Sequence, residues 1–79
     1  MDTIQQVIFA LQELEQDTQT PKNVRLKLAT VMKLLLDNGE TSIKVSKVLS
    51  ELEELTSDSN LQSYTRTQLF NIVSLLEAF

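Results

Sequence analysis

Apolar side chains recur at three- and four-residue steps in four separate stretches of the chain. In the first, Ile4, Val7, Ile8, Leu11 and Leu14 fall on one face of an α-helix. Asp2 or Thr3 stands ready to cap it, with Gln5 or Gln6 three residues on in a capping-box arrangement. That helix ends near Gln16. Val24, Leu28, Val31, Met32 and Leu35 form a second stripe, and Val45, Val48, Leu49, Leu52 and Leu55 a third. Leu69, Ile72, Val73 and Leu76 lie in a fourth, predicted from about Leu61 to Glu77. No stretch alternates with the two-residue period of a strand.

Polar segments separate the stripes. Asp17-Thr18-Gln19-Thr20 is the first connector. Thr20-Pro21 reads as a helix start, because threonine caps well and proline has the φ that a first helical residue needs. Asp37-Asn38-Gly39 stops the second helix, and Asn38 or Gly39 is expected to take a left-handed C′ conformation. Thr41 or Ser42 is the expected cap of the third helix. Ser57-Asp58-Ser59-Asn60 connects it to the fourth.

The two halves of the chain align without a gap at an offset of 41 positions. Val7 matches Val48, Leu11 matches Leu52, Leu14 matches Leu55 and Leu28 matches Leu69. The reading is a single all-α domain over residues 1–79. It is a four-helix bundle built from two repeated helical hairpins, about 2–38 and 41–79. One hairpin cannot bury its stripe alone, and two packed face to face can. The match extends to charge: Asp17 with Arg25, and again Asp58 with Arg66, sit eight residues apart across each connector. These pairs read as structural polar latches, each aspartate meeting the start of the next helix and pairing with arginine. Acids crowd the ends of the first and third helices. Lys22, Arg25 and Lys27 follow the first cluster and only Arg66 the second, which leaves the second with spare negative charge.

Four apolar residues fall outside the stripes. Phe9 and Leu26 project nearly opposite them, Leu34 is roughly perpendicular, and Phe70 lies well off its own. They are bundle-edge residues or a second apolar face for self-association or a partner. A domain this small gains stability from pairing, so they are the candidate interface.

Composition narrows the chemistry. With no Cys and no His, the chain has no thiol nucleophile, disulfide, Cys/His zinc site or imidazole base. A single Gly rules out a phosphate-cradling glycine loop. Glu13/Asp17 and Glu54/Asp58 are carboxylate pairs spaced to hold a divalent cation, but such pairs also make ordinary solvated helix faces. No catalytic, metal-binding or cofactor-binding residue is assigned, and no small-molecule ligand is evident. The longest apolar run, Val7–Leu11, is five residues, far short of the roughly twenty that span a membrane. An acid near the N-terminus does not suit a signal peptide, and a cytoplasmic protein is expected. The net charge of −4 and pI near 4.6 argue against direct nucleic-acid binding and suit a basic protein surface.

Three segments carry a resemblance. Thr20-Pro21-Lys22-Asn23-Val24-Arg25 is similar to the "VPRNIR" box of a family of small archaeal proteins, uncharacterised protein family 0147. The segment from Asp58 to Thr67 resembles its "DPNMPxHTRT" box, and Phe70 to Glu77 its "WxIVSxLE". Gln62, Tyr64 and Phe70 stand where that family has Pro, His and Trp, so the chain reads as a divergent member. The resemblance implies an all-helical bundle of archaeal origin and supplies no activity or ligand.

The functional expectation is a non-catalytic interaction module that self-associates, as a homodimer, or meets a protein partner. The alternative is an RNA- or ribosome-associated accessory protein that uses the basic second helix, where Lys22, Arg25, Lys27 and Lys33 lie.

Overall fold

Each apolar stripe becomes one helix. A computed structural model of the chain describes residues 2–78, so Met1 and Phe79 of the expected domain span lie outside it. The helices are α1 (Thr3–Gln16), α2 (Lys22–Leu36), α3 (Thr41–Thr56) and α4 (Ser63–Glu77). Consecutive helices turn back on one another through short connectors, and α4 closes against α1. Each helix packs on two neighbours, while α1 and α3, like α2 and α4, stand diagonally opposite. The extents, 33 × 21 × 20 Å, accommodate helices of about 22 Å lying along the long axis.

The core is aliphatic. Val7, Leu11, Leu28, Val31, Val48, Leu52 and Leu69 are fully shielded from solvent. Ile4, Ile8, Met32 and Leu49, the stripe-edge residues, are only partly buried against them. Leu61 and Thr20 join the core from the connectors, and Thr65 from the first turn of α4. No helical period announces Thr20 or Leu61, because the connectors fold inward to close the end of the bundle.

Helix ends depart from several expectations. Asp2 does cap α1, its Oδ1 accepting from the Gln5 backbone N–H at 2.8 Å. Thr20 does not cap α2: Pro21 takes that place, and the Thr20 hydroxyl donates back to the Leu14 carbonyl at 2.7 Å. Glu40, not Thr41 or Ser42, precedes α3, and Gln62 precedes α4, with no side-chain cap bond at either. The fourth helix accordingly begins at Ser63 rather than near Leu61. Among the described residues none has a positive φ, Asn38 and Gly39 included. The end of α2 is satisfied differently. Lys44 of α3 reaches back and donates from Nζ to the carbonyls of Leu35 (3.1 Å) and Asp37 (2.8 Å). A cation at a helix C-terminus also suits the helix dipole, so no left-handed residue is needed.

Candidate functional site

Arginine closes the first and third connectors in one way. Arg25 donates from Nη2 to the Asp17 backbone carbonyl at 3.0 Å, and Arg66 does the same to Asp58 at 2.7 Å. The aspartate side chains turn inward on their own loops. Asp17 Oδ1 accepts from the Gln19 N–H, and Asp58 Oδ1 from the Asn60 N–H, both at 2.9 Å. The Thr20 and Leu61 N–H groups then bond the Asp17 and Asp58 carbonyls. The sequence expectation paired arginine with carboxylate. The structure pairs arginine with the main chain, since the carboxylate is already shaping the turn. Asp17, Arg25, Asp58 and Arg66 are thus brought together two by two, at the same end of the bundle. Lys44 performs the equivalent task in the middle connector, which spacing alone did not reveal because its counterpart 41 positions earlier, Thr3, carries no charge.

The acidic clusters are also partnered differently from the expectation. Lys27 of α2 pairs with α3, not with the end of α1. Its ammonium meets the Glu51 carboxylate and lies 3.8 Å from that of Glu54. The hydrogen bond to Glu51 raises the Lys27 pKa above its ordinary value. Partial desolvation opposes this, and the Glu51 and Glu54 charges reinforce it. The supposedly spare charge of the second cluster is therefore partly answered. On the basic second helix, Arg25 and Lys27 are engaged within the fold, while Lys22 and Lys33 stand exposed.

Of the candidate interface residues, Phe9, Leu26 and Phe70 are 55%, 62% and 51% exposed. Leu34 is instead half-buried against the core, because its sideways direction points toward a neighbouring helix. Leu36, Ile43 and Tyr64 are also exposed large apolar residues that the outlier argument did not single out. Leu36 and Ile43 flank the α2–α3 connector, where a stripe analysis has no turn left to compare them with.

An open groove of about 330 Å³ runs between the C-terminal half of α1 and the start of α4. Ala10 and Leu14 floor it; Glu13, Gln16, Asp17, Tyr64 and Gln68 form its polar walls. None of the four candidate interface residues lines it. The groove carries carboxylates, amides and one phenol, a set suited to holding a cation or donor rather than to nucleophilic chemistry. Among the described residues no three acids converge as a metal-holding group, and no helix is long and apolar enough to cross a membrane.

Comparison with known proteins places this geometry. The model of "Uncharacterised protein family (UPF0147)" matches residues 1–79. A UPF0147 protein of Thermoplasma volcanium is 44% identical over 75 residues, covering 92% of this chain and 83% of that protein. One from Sulfurisphaera tokodaii is 32% identical, covering 94% and 84%. The crystal structure of a UPF0147 protein from Thermoplasma acidophilum superposes with a TM-score of 0.93 at 36% identity, covering 96% of this chain and 91% of that one.

Proposed function

The chain belongs to uncharacterised protein family UPF0147, whose archaeal relatives share its all-helical fold and carry no assigned activity, and from that premise we propose that it is a non-catalytic interaction module. The observation that carries this reading is the exposure of Phe9, Leu26, Leu36, Ile43 and Phe70 on a bundle whose core is already filled by aliphatic side chains. Each is a large apolar group that leaves at least half of its surface in solvent. Each is already partly buried, so covering its exposed half at an interface contributes roughly half of what full burial would, about 0.8–1.5 kcal/mol. The composition supports the same reading, since neither thiol nor imidazole is present to do chemistry. We place the protein in the cytoplasm and favour self-association, as a homodimer, over a foreign partner, because a chain of 79 residues has a small core to stabilise it alone.

Sedimentation velocity across micromolar to millimolar concentration tests this. A reversible rise in mass, lost in F9S or F70S, is the expected outcome. A strict monomer at every concentration removes the self-association reading.

A further inference from the structure

The outer side of α2 carries a second stripe. Lys22, Leu26, Ala29, Lys33 and Leu36 follow one another at steps of four and three, so they share a face about 80° wide, turned away from the buried stripe. Leu26, Leu36 and both lysines are exposed, and Ala29 is half-buried. Lys27 marks the α3 side of the helix through its pair with Glu51, and Arg25 marks the α1 side through its bond to Asp17. The stripe lies on the side of Arg25. Next to it, Gln5, Phe9, Gln12 and Gln16 step along the outer side of α1 by four, three and four, all exposed. Three large exposed apolar residues, Phe9, Leu26 and Leu36, are thus gathered on the α1–α2 face, and neither stripe contains an acid.

The corresponding stripe 41 positions on, along α4, is Ser63, Thr67, Phe70, Ser74 and Glu77. It has no leucine, and a bulky phenylalanine stands where α2 has Ala29. A small central residue lets two helices approach closely, because the side chains at the contact set the spacing. Ala29 is also the midpoint of its stripe, seven residues from Lys22 and from Leu36. An antiparallel copy laid across Ala29 sets Lys22 level with Leu36 and Lys33 within one residue of Leu26. No lysine then faces a lysine, and each aliphatic stem covers a leucine while its ammonium stays in water. Just past Leu36 stands Asp37, exposed, with Oδ1 accepting from the Asn38 N–H. Its carboxylate falls beside Lys22 of the copy, so the ends of the stripe are complementary in charge. A long face of the bundle, 33 × 21 Å, offers about 700 Å² a side and about 1,400 Å² for the pair, inside the range of roughly 1,200–2,000 Å² that stable interfaces bury.

We infer that the α1–α2 face is where a second copy of this chain docks, α2 lying antiparallel on α2 across a twofold axis at Ala29. The inference rests on the reading of the protein as self-associating and adds the surface and the register. A twofold contact uses the same patch on both copies, so it closes at two. Each copy carries a net charge of −4, and the two meet on a face whose stripes hold lysines and no acid, which keeps most of the negative charge away from the join.

Sedimentation velocity of the full chain is the first test. Phe9→Ser, Leu26→Ser and Ala29→Glu are each expected to raise the dimer Kd about tenfold or more, with the circular dichroism of the parent retained. Of the two phenylalanine variants the loss is assigned to Phe9→Ser. Phe70→Ser and Ile43→Ser are expected to stay within about twofold of the parent. Cross-linking is the second test, and a chain without cysteine makes single replacements clean reporters. Under mild oxidation Ala29→Cys is expected to form a covalent dimer about tenfold faster or more than Ser46→Cys, an exposed position on α3, because only the axis brings two copies of one residue within disulfide reach. Lys22→Cys mixed with Asp37→Cys is expected to give the mixed dimer ahead of either like pair. Association kept in Phe9→Ser and Ala29→Glu but lost in Phe70→Ser overturns this surface and leaves self-association standing. Equal cross-linking at positions 29 and 46 overturns it as well, and a like pair of Lys22→Cys ahead of the mixed dimer overturns the antiparallel register. A strict monomer at every concentration removes the surface and self-association together.

Discussion

The two arginine contacts make a sharp, quantitative expectation. Arg25→Met and Arg66→Met each remove a guanidinium while keeping much of the aliphatic stem that packs along the helix. A hydrogen bond to a charged group contributes about 1.5–3 kcal/mol. Here both acceptors are neutral carbonyls that retain a second donor, the Thr20 N–H at 3.1 Å and the Leu61 N–H at 3.2 Å. Neither carbonyl is orphaned by the substitution, so the cost falls at the bottom of that range, about 1.5 kcal/mol. The two arginines are not equal. Arg66 donates over 2.7 Å and Arg25 over 3.0 Å, and Arg25 Nε is buried with no hydrogen-bond partner. Removing Arg25 also removes that unsatisfied group, so Arg25→Met is expected to cost less than Arg66→Met. Thermal unfolding followed by far-ultraviolet circular dichroism is the assay, and each kcal/mol appears as about 4–8 °C in Tm for a domain this size. Asp17→Asn decides the mechanism. Its amide oxygen can still accept from the Gln19 N–H, and its backbone carbonyl is untouched, so the loss is expected to stay under about 0.5 kcal/mol. The arginine effects are also expected to persist at 1 M salt, because their acceptors carry no net charge. An Asp17→Asn loss equal to that of Arg25→Met, vanishing at high salt, would refute the main-chain account and restore a carboxylate–guanidinium pair.

Two further outcomes follow from burial and charge. Leu28→Ala opens a cavity at a fully buried position and is expected to cost about 2–5 kcal/mol by urea denaturation, a large share of the stability of so small a domain. The Lys27 pKa lies above its ordinary 10.5 in the folded state, so its contribution is complete below pH 10.5 and fades as pH rises through the higher folded value. Lys27→Met is therefore expected to be less stable than the parent at neutral pH, with the gap narrowing in alkaline denaturation curves above pH 10.5; a gap constant to the highest pH at which the parent folds would disprove the pairing.

The helices were legible because a buried stripe leaves a period in the sequence, and Val7, Leu11, Leu28 and Leu52 sit in that period. The connectors were not, because their side chains answer to tertiary partners. Thr20 has the chemistry of an N-cap, yet its hydroxyl reaches the end of the preceding helix instead. Asn38 and Gly39 have the chemistry of a left-handed cap, yet Lys44 supplies donors to the same carbonyls and the strained conformation is not needed. Lys27 follows the first acidic cluster closely in sequence but projects toward α3, and only the helix arrangement decides between those partners. Arg25 and Asp17 were found by their matched spacing. The atom that arginine meets was beyond reach, since a turn can spend its carboxylate on its own N–H groups. The groove left still less trace: Ala10 and Gln68 are ordinary helix residues until set beside Glu51 and Lys27.

That contrast bears on where function sits in such a bundle. Several residues that match across the two halves, such as Leu11 with Leu52 and Arg25 with Arg66, are ones the fold itself uses, as buried contacts or connector closures. Surface positions are free to differ, and most differences between them cost little. At the α1–α4 seam Ala10 and Gln68 stand 41 positions from Glu51 and Lys27, a difference of another kind, because both partners of the ion pair are absent together. Removing only one would leave a charge without its partner. Removing both leaves a groove that costs the fold little and still keeps Glu13 and Asp17 on its wall. An acid-walled space without an internal cation is therefore compatible with stability at the α1–α4 seam, and the pair Ala10→Glu with Gln68→Lys should close it without unfolding the bundle. If that double variant loses more than about 1 kcal/mol of stability in thermal unfolding, the correspondence between groove and seam is wrong.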